Sequence, residues 1–432
     1  MKNKKSIYRI LISLLGVLSV VLAGNCVFAE DAGNSDGFLR RQNMLSAFGV
    51  WQEPSEESEE ITRAEFVMLI GKIFNIGESN QRYFIDVQDS HKASGIINMA
   101  FEKGIVIGYD DGLFRPENPI SCDEALLITL KSLGYTEQIL NSYDNSLMRS
   151  KILKDIPAGN MTWDSAFKLA ENLFDVKPLV FATGEGDKHG LQESENNVWE
   201  ACQGIYKMTG ILELSGKFST FYNTSKNEQI IQINGETFET DGKDYSEYFG
   251  MNVCAYYYED KHADERTVLY MEPYGRQTKE TIIAQDIISA DQDCIKYELP
   301  NDSKERKIQI ASGAAVVYNS HYLGDIETEY VQPDMLNPEN GSVCLIDHNN
   351  DGRAEVLVIE EYDVYKVVQV GKEQIWVDGD KVIDIDEDTV IYKNNEKVSI
   401  GSIIPETVVQ VYKSVEIPGV VDGEIYLRVS DN

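Results

Sequence analysis

Residues Tyr83 to Gly134 constrain this chain more than any other stretch. Ser94–Lys103 places Ile96, Ile97, Ala100 and Phe101 on one face of a short helix. Gly104 then supplies a left-handed C-cap, and Ile105-Val106-Ile107 runs on into a core. Asp110-Asp111-Gly112 is turn chemistry, because Gly tolerates positive φ and Asp bonds its own backbone. Pro116 and Pro119 keep the next residues extended, and Ser121 to Glu124 opens a second helix as a capping box. The sequence predicts a unit of about fifty residues: helix, buried extended segment, acidic turn, Pro-rich bend, capped helix.

The same order recurs on both sides. Upstream, Leu39–Val50 reads as the first helix, Gln52–Glu60 stands where the acidic turn belongs, and Thr62/Glu65 form a capping box. Phe66, Leu69, Ile70, Ile73 and Phe74 then follow helical spacing. Downstream, Ser146–Leu153 is a worn first helix and Lys154–Asn160 a reduced turn. Thr162-Trp163-Asp164-Ser165 starts a second helix carrying Phe167, Leu169, Ala170, Leu173 and Phe174.

Phe84-x-Asp86-Val87, Gly104-Ile105 and Gly108-Tyr109-x-Asp111-Gly112-x-Phe114-x-Pro116, with Thr62-Arg63-Ala64-Glu65 upstream, resemble the S-layer homology (SLH) module. The resemblance covers roughly residues 38–176 and is strongest over 61–135. It implies three modules packed as a pseudo-threefold helical spindle. Its grooves would bind a secondary cell-wall polysaccharide, often pyruvylated, or another peptidoglycan-linked glycan. The family's binding residues fall on Arg63 and Asp86, flanked by Thr62 and Glu65. Asp111, Gly112 and Gly104 take turn and structural roles. In the second module Cys122 replaces the arginine, in the third Trp163 does, and the first lacks the Asp-Gly turn, which leaves one groove complete. An acidic domain that grips an anionic sugar needs a localised cation. Arg63 offers a planar two-pronged donor at N1 of a helix, where the dipole assists an anion.

The formal charge of −33 excludes nucleic acid and anionic lipid as partners, since both demand a basic footprint. Lys2, Lys4, Lys5 and Arg9, the apolar run Ile10–Ala23 and Val27-Phe28-Ala29 read as a cleaved secretory signal. No later apolar run reaches membrane-spanning length. Five widely spaced cysteines remain after it (Cys122, Cys202, Cys254, Cys294, Cys344), and they support neither a disulfide framework nor a metal site. Most read as small buried hydrophobes.

Lys177–Glu195 reads as a linker and Asn197–Met208 as one more helix, tying the halves together. From Gly210 on the periodicity is two, with hairpin turns at Asn234-Gly235 and Asp378-Gly379. Gly250–Tyr274, Gly341–Tyr362 and Thr407–Ser430 are copies of strand, polar turn, strand. Asp347, Asn349, Asp351 and Glu355 follow Ca²⁺-loop spacing, but Val358 stands where the bidentate Glu belongs. A solvated acidic hairpin turn is the default reading, and no cofactor is implied.

The expected class is a multidomain α+β chain, an all-α SLH spindle followed by a mostly antiparallel all-β region of repeated small units. The boundaries are 1–29 signal, 30–37 flexible start, 38–80, 81–136 and 137–176 modules, 177–209 linker and tie helix, and 210–280, 281–363 and 364–432 β-units. The five histidines are scattered, and no HExxH, Gly-x-Ser-x-Gly or Gly-rich phosphate loop occurs. The expectation is a non-catalytic, secreted cell-surface protein held to the wall through its SLH modules. Two other readings stay open: a wall hydrolase housed in 177–432, and a structural or adhesive protein whose modules bind no glycan.

Overall fold

The structure is a computed structural model that describes residues 26–28, 34–53, 55–142, 146–182, 190–216, 218–219, 229–260, 265–299, 302–386, 389–394, 396–415 and 425–429. The basic and apolar runs of the expected signal lie outside these residues. The fold is α+β and divides into two compact units. One is Asp31–Met208 with Ala255–Tyr270. The other is Thr209–Cys254 and Met271–Asn432 with the strand Cys26–Phe28.

In the helical unit α1 (Asn34–Ala47), α2 (Arg63–Ile73), α3 (Ser94–Glu102), α4 (Cys122–Ser132), α5 (Glu137–Ser142), α6 (Ser146–Ile152) and α7 (Trp163–Asn172) lie where the repeats predict helices, except α5, which was not foreseen, and the first turn of α1, which takes up Asn34–Gly37 of the expected flexible start. Both expected capping boxes form: Thr62 with Glu65 opens α2 and Ser121 with Glu124 opens α4. Gly104 (φ 69°) ends α3, its amide donating to the Phe101 carbonyl while Ile105 N–H reaches back to Ala100, the Schellman pattern. Gly71 is required for another reason. A Cβ there would stand 2.4 Å from Ile96 Cγ2, so α2 and α3 meet through a missing side chain.

The extended segments before α2, α4 and α7 close a ring. Ile61 N–H donates to the Met161 carbonyl, Met161 N–H to Ile120 and Ile120 N–H to Ile61, over 2.9–3.2 Å. The first-turn amides continue the cycle: Arg63 N–H to Asn118 O, Cys122 N–H to Gly159 O, Trp163 N–H to Glu59 O. Orphan helix donors are thereby satisfied by neighbouring segments. Ile61, Ile120 and Met161 are all fully buried.

Beyond α7 the chain departs from the expected linker. Leu179–Ala182 and Gly190–Glu193 pair as an antiparallel hairpin. The expected helix Asn197–Met208 is shorter: α8 (Val198–Gln203) begins at an Asn197/Glu200 capping box and stops at Gly204, which is left-handed. Ile205, read from sequence as helical, starts the strand Ile205–Ser215. The Gln203 amide donates to the Lys72 and Ile73 carbonyls, satisfying the end of α2.

In the other unit β1 (Gln277–Ile283), β2 (Asp302–Tyr318), β3 (Gly341–Asp347), β4 (Arg353–Val370), β5 (Val408–Lys413) and β6 (Ile425–Val429) belong to one large sheet. Neighbours β1–β3–β4–β5–β6 are antiparallel, and β2 pairs with β4 in parallel. Cys26–Phe28, placed by sequence at the end of the signal, pairs with Gln277–Lys279. The boundaries expected at 280/281 and 363/364 fall inside β1 and β4. The β4 run carries neither Gly nor Pro to break it, and so it passes from one hydrophobic core (Val343, Leu345, Leu357, Ile359) into a second (Val367, Ile375, Val409, Leu427).

Candidate functional site: the Arg63 notch

Arg63 is the first residue of α2 and only 6% exposed. Its Nη1 donates to Glu124 Oε1 at 3.2 Å and its Nη2 to the Ile107 carbonyl at 3.1 Å. The guanidinium carbon lies 5.2 Å from the Tyr109 ring centre and 4.9 Å from that of Phe114. Tyr109 Oη donates to the same Glu124 oxygen at 2.8 Å. The buried Arg63 Nε makes no hydrogen bond among the described residues. Beside it opens a cavity of about 170 Å³, walled by Ile107, Tyr109, Glu124, Leu127 and Lys131.

The electrostatics of the notch follow from these contacts. Burial alone would raise the Glu124 carboxyl, but hydrogen bonds from Tyr109 and Ser121 and the charge of Arg63 outweigh it and hold Glu124 below the usual carboxylate range. Burial, with the hydrogen bond to Glu124, pushes the Tyr109 phenol up. Glu124 is therefore an anion and Tyr109 a neutral donor at neutral pH.

Two expectations need correction. Asp86, expected beside Arg63 as a binding residue, is committed to the backbone: its carboxylate accepts the amides of Phe114 (3.0 Å) and Arg115 (2.7 Å), fixing the Asp-Gly turn onto the Phe84 segment. The N-terminus of α2 is not open to an anion either. The amides of Arg63, Ala64 and Glu65 donate to Asn118 O, Pro116 O and Thr62 Oγ1. Thr62 and Glu65 are turned toward each other in the box, with Thr62 N and Oγ1 both on Glu65 Oε2. Asp111 accepts from Leu113 N–H and the Arg115 guanidinium, and those bonds lower its carboxyl; Gly112 (φ 78°) completes the turn.

Sequence reasoning missed Tyr109 and Glu124 as neighbours of Arg63, and Lys131, which pairs with Glu137 at 3.6 Å, as a wall of the same cavity. Tyr109 lay inside the quoted motif and Glu124 inside the capping box, but nothing in the spacing brings one copy of the repeat against the next.

The other two corners of the ring lack the cation. Cys122 is buried and its thiol lies 3.2 Å from the Pro157 carbonyl. Trp163 fills its corner, 4.6 Å from the Trp51 ring and 5.4 Å from Phe167.

In the β-rich unit, oxygens of Asp347, Asp351 and Glu355 lie within 4.8 Å of one another. They are engaged by the turn itself. Asp347 accepts the amides of Asp351 and Gly352, Asp351 that of Arg353, and Glu355 the His348 amide and the Asn349 side chain. Burial, with Asp347 and Asp351 nearby, pushes the Glu355 carboxyl up.

These features place the chain in a class. Residues 84–125 match the S-layer homology domain, so this is an SLH-containing protein, secreted to the cell surface. Arg63 lies upstream of the matched stretch. The chain is 21% identical over its whole length to a cell surface protein of Thermoanaerobacter kivui, spanning 58% of that protein. It is 22% identical over 78% of its length to the middle cell wall protein of Brevibacillus brevis, of which it spans 36%. Over 18% of its length it is 34% identical to the cellulosome-anchoring protein of Acetivibrio thermocellus, covering 19% of that protein. No helix among the described residues is long and apolar enough to cross a membrane.

Proposed function

We propose that residues 38–176 form a three-module SLH spindle that anchors the chain reversibly to an acidic cell-wall polysaccharide and displays the β-rich remainder. The closed cycle of Ile61, Ile120 and Met161 hydrogen bonds supports the pseudo-threefold arrangement. One observation carries the binding reading: Arg63 lines an open cavity together with a second cation, Lys131. There Arg63 and Lys131 would face the acidic substituent, and Glu124 would accept a sugar hydroxyl. The names of the cell-wall and cellulosome-anchoring relatives agree with attachment to the wall. The expected glycan is pyruvylated or otherwise carboxylated, and the first 29 residues are removed on export.

The reading is non-catalytic. His91 pairs with Glu117, His321 with the Asn319 carbonyl and His348 with the Glu355 region, each on a separate element. The Asp347–Glu355 turn is read as a self-capped hairpin turn, its oxygens already satisfied.

Co-sedimentation with purified cell walls tests the anchor. Wild type should pellet, and Arg63→Ala should lose most of that retention. Because Arg63 is also structural, Lys131→Ala at the cavity rim is the second variant. Retention of both variants at the wild-type level, or equal binding to depyruvylated walls, overturns the groove or the pyruvate reading respectively.

A further inference from the structure

The large sheet of the β-rich unit has two faces of different character. Ile282, Val343, Leu345, Leu357 and Ile359 point into a hydrophobic core. Strand alternation sends their neighbours to the other side. There Thr281, Cys344 and Val358 line up across β1, β3 and β4, and Ser342 stands opposite Glu360. Phe218 and Phe249, stacked at 5.4 Å, cover part of this face. They enclose with it a cavity of about 300 Å³, lined also by Lys279 and Arg428.

The charges in the cavity are unusual for this chain. The cavity wall carries two cations, Lys279 and Arg428, and one carboxylate, Glu360, in a protein of net charge −33. Lys279 Nζ donates to the Glu247 carbonyl, which fixes its position with two N–H groups to spare. The Arg428 guanidinium rests 5.2 Å from the Tyr412 ring centre, within a stack that continues to Tyr426 at 4.3 Å. Against desolvation, the neighbouring Tyr412 and Glu360 keep Arg428 charged. Thr281, Ser342 and Ser246 add hydroxyl-bearing side chains to the lining.

We propose that this cavity binds a single acidic sugar residue, a carboxylated pyranose of the uronic-acid kind. Three observations fix that class. Two cations on different strands suit a carboxylate. Glu360 and three hydroxyls suit a ring bearing several hydroxyl groups. The Phe218–Phe249 pair offers an apolar surface to the ring's C–H face. A hydrocarbon ligand would strip water from three charged groups with no return. A small inorganic anion would leave most of the volume and the aromatic wall unused. A long polyanion would meet a chain of net charge −33, so the preferred ligand is one free residue or a chain end. The cavity shares no residue with the Arg63 notch, so the two sites fail or succeed independently.

Titration calorimetry of the purified chain with D-glucuronate, D-glucose and acetate tests the assignment. Glucuronate should bind roughly tenfold more tightly than glucose or acetate, the value of one added charge-assisted contact. Lys279→Gln, at a half-buried position, should remove that advantage with the thermal midpoint unchanged as the check on folding, and Ser342→Val should weaken binding of the sugar ring. Glucuronate binding that survives in Arg63→Ala belongs to the cavity and not to the notch. Equal binding of glucuronate and glucose, equal binding of acetate and glucuronate, or a Lys279→Gln variant that binds as wild type each overturns the proposal. If Arg63→Ala alone abolishes binding, the ligand sits in the notch and the cavity assignment falls.

Discussion

Arg63 and Cys122 occupy the same position in successive turns of the ring, and the backbone treats them alike. Each follows a capping-box residue, and each donates its amide to the next segment, at 2.8 Å in both cases. Their side chains differ in chemistry, though each lines a cavity, Cys122 with Arg149 in its wall. One is a cation gripped by a glutamate beside a cavity; the other is a thiol set against a carbonyl. Trp163 extends the comparison, with an indole where the cation would stand. The ring is therefore held by main-chain hydrogen bonds and the apolar Ile61, Ile120 and Met161. Side-chain chemistry at the corners can change without loss of the fold.

That comparison breaks most visibly at the aromatic corner. Trp163→Ala removes a fully packed indole between Trp51 and Phe167 and should cost about 3–5 kcal/mol, read from denaturant midpoints at constant m-value. A loss below about 1 kcal/mol would mean that this corner is not closed by packing. Arg63→Ala comes next. Removing one partner of a buried pair costs about 3–5 kcal/mol, but Glu124 keeps 35% of its surface, so solvent reduces the expected loss to roughly 2 kcal/mol. Cys122→Ser should be the mildest, about 1 kcal/mol or less, because a hydroxyl can still reach the Pro157 carbonyl. If the order of the last two is reversed, the cation is not what the first corner depends on.

The same distinction explains what could be read from the sequence. Helices α2 and α4 were legible to within a residue or two because a capping box marks each start and a Schellman turn each end. Arg63 was legible as the one cation at a motif position. Its true partner was not, since Glu124 already had a local role as the capping residue of its own helix. Asp86 misled for a related reason. A carboxylate in a short motif reads as a ligand, yet two backbone amides twenty-eight and twenty-nine residues on consume it. In the β-rich half the strands were visible from alternation, but the cavity on the second sheet face was not. It exists only because β1, β3 and β4 pair in the register that aligns Thr281, Cys344 and Val358. Register between β1 and β3, with Thr281 and Cys344 more than sixty residues apart, leaves no local trace.

The smallest effect is also the most discriminating, because the two corners should respond to opposite ends of the pH scale. Glu124 is held below the ordinary carboxylate range in the fold. Its contribution is complete above the pKa of the unfolded chain, about 4.3, and is lost as pH falls through the lower folded value. Cys122 is shifted the other way: burial first, then Asp123, raises its thiol. Its neutral form is favoured in the fold, so that contribution is complete below about 8.5 and declines as pH rises, when the unfolded thiol ionises first. Thermal unfolding of wild type, Glu124→Gln and Cys122→Ser across both ranges separates the two. Glu124→Gln should flatten the acid arm and leave the alkaline arm alone, and Cys122→Ser should do the reverse. Should Glu124→Gln leave the acid arm as steep as before, the glutamate would have to be solvated as freely in the fold as in the open chain. Arg63 would then be held by the Ile107 carbonyl and the two aromatic rings rather than by its ion pair with Glu124.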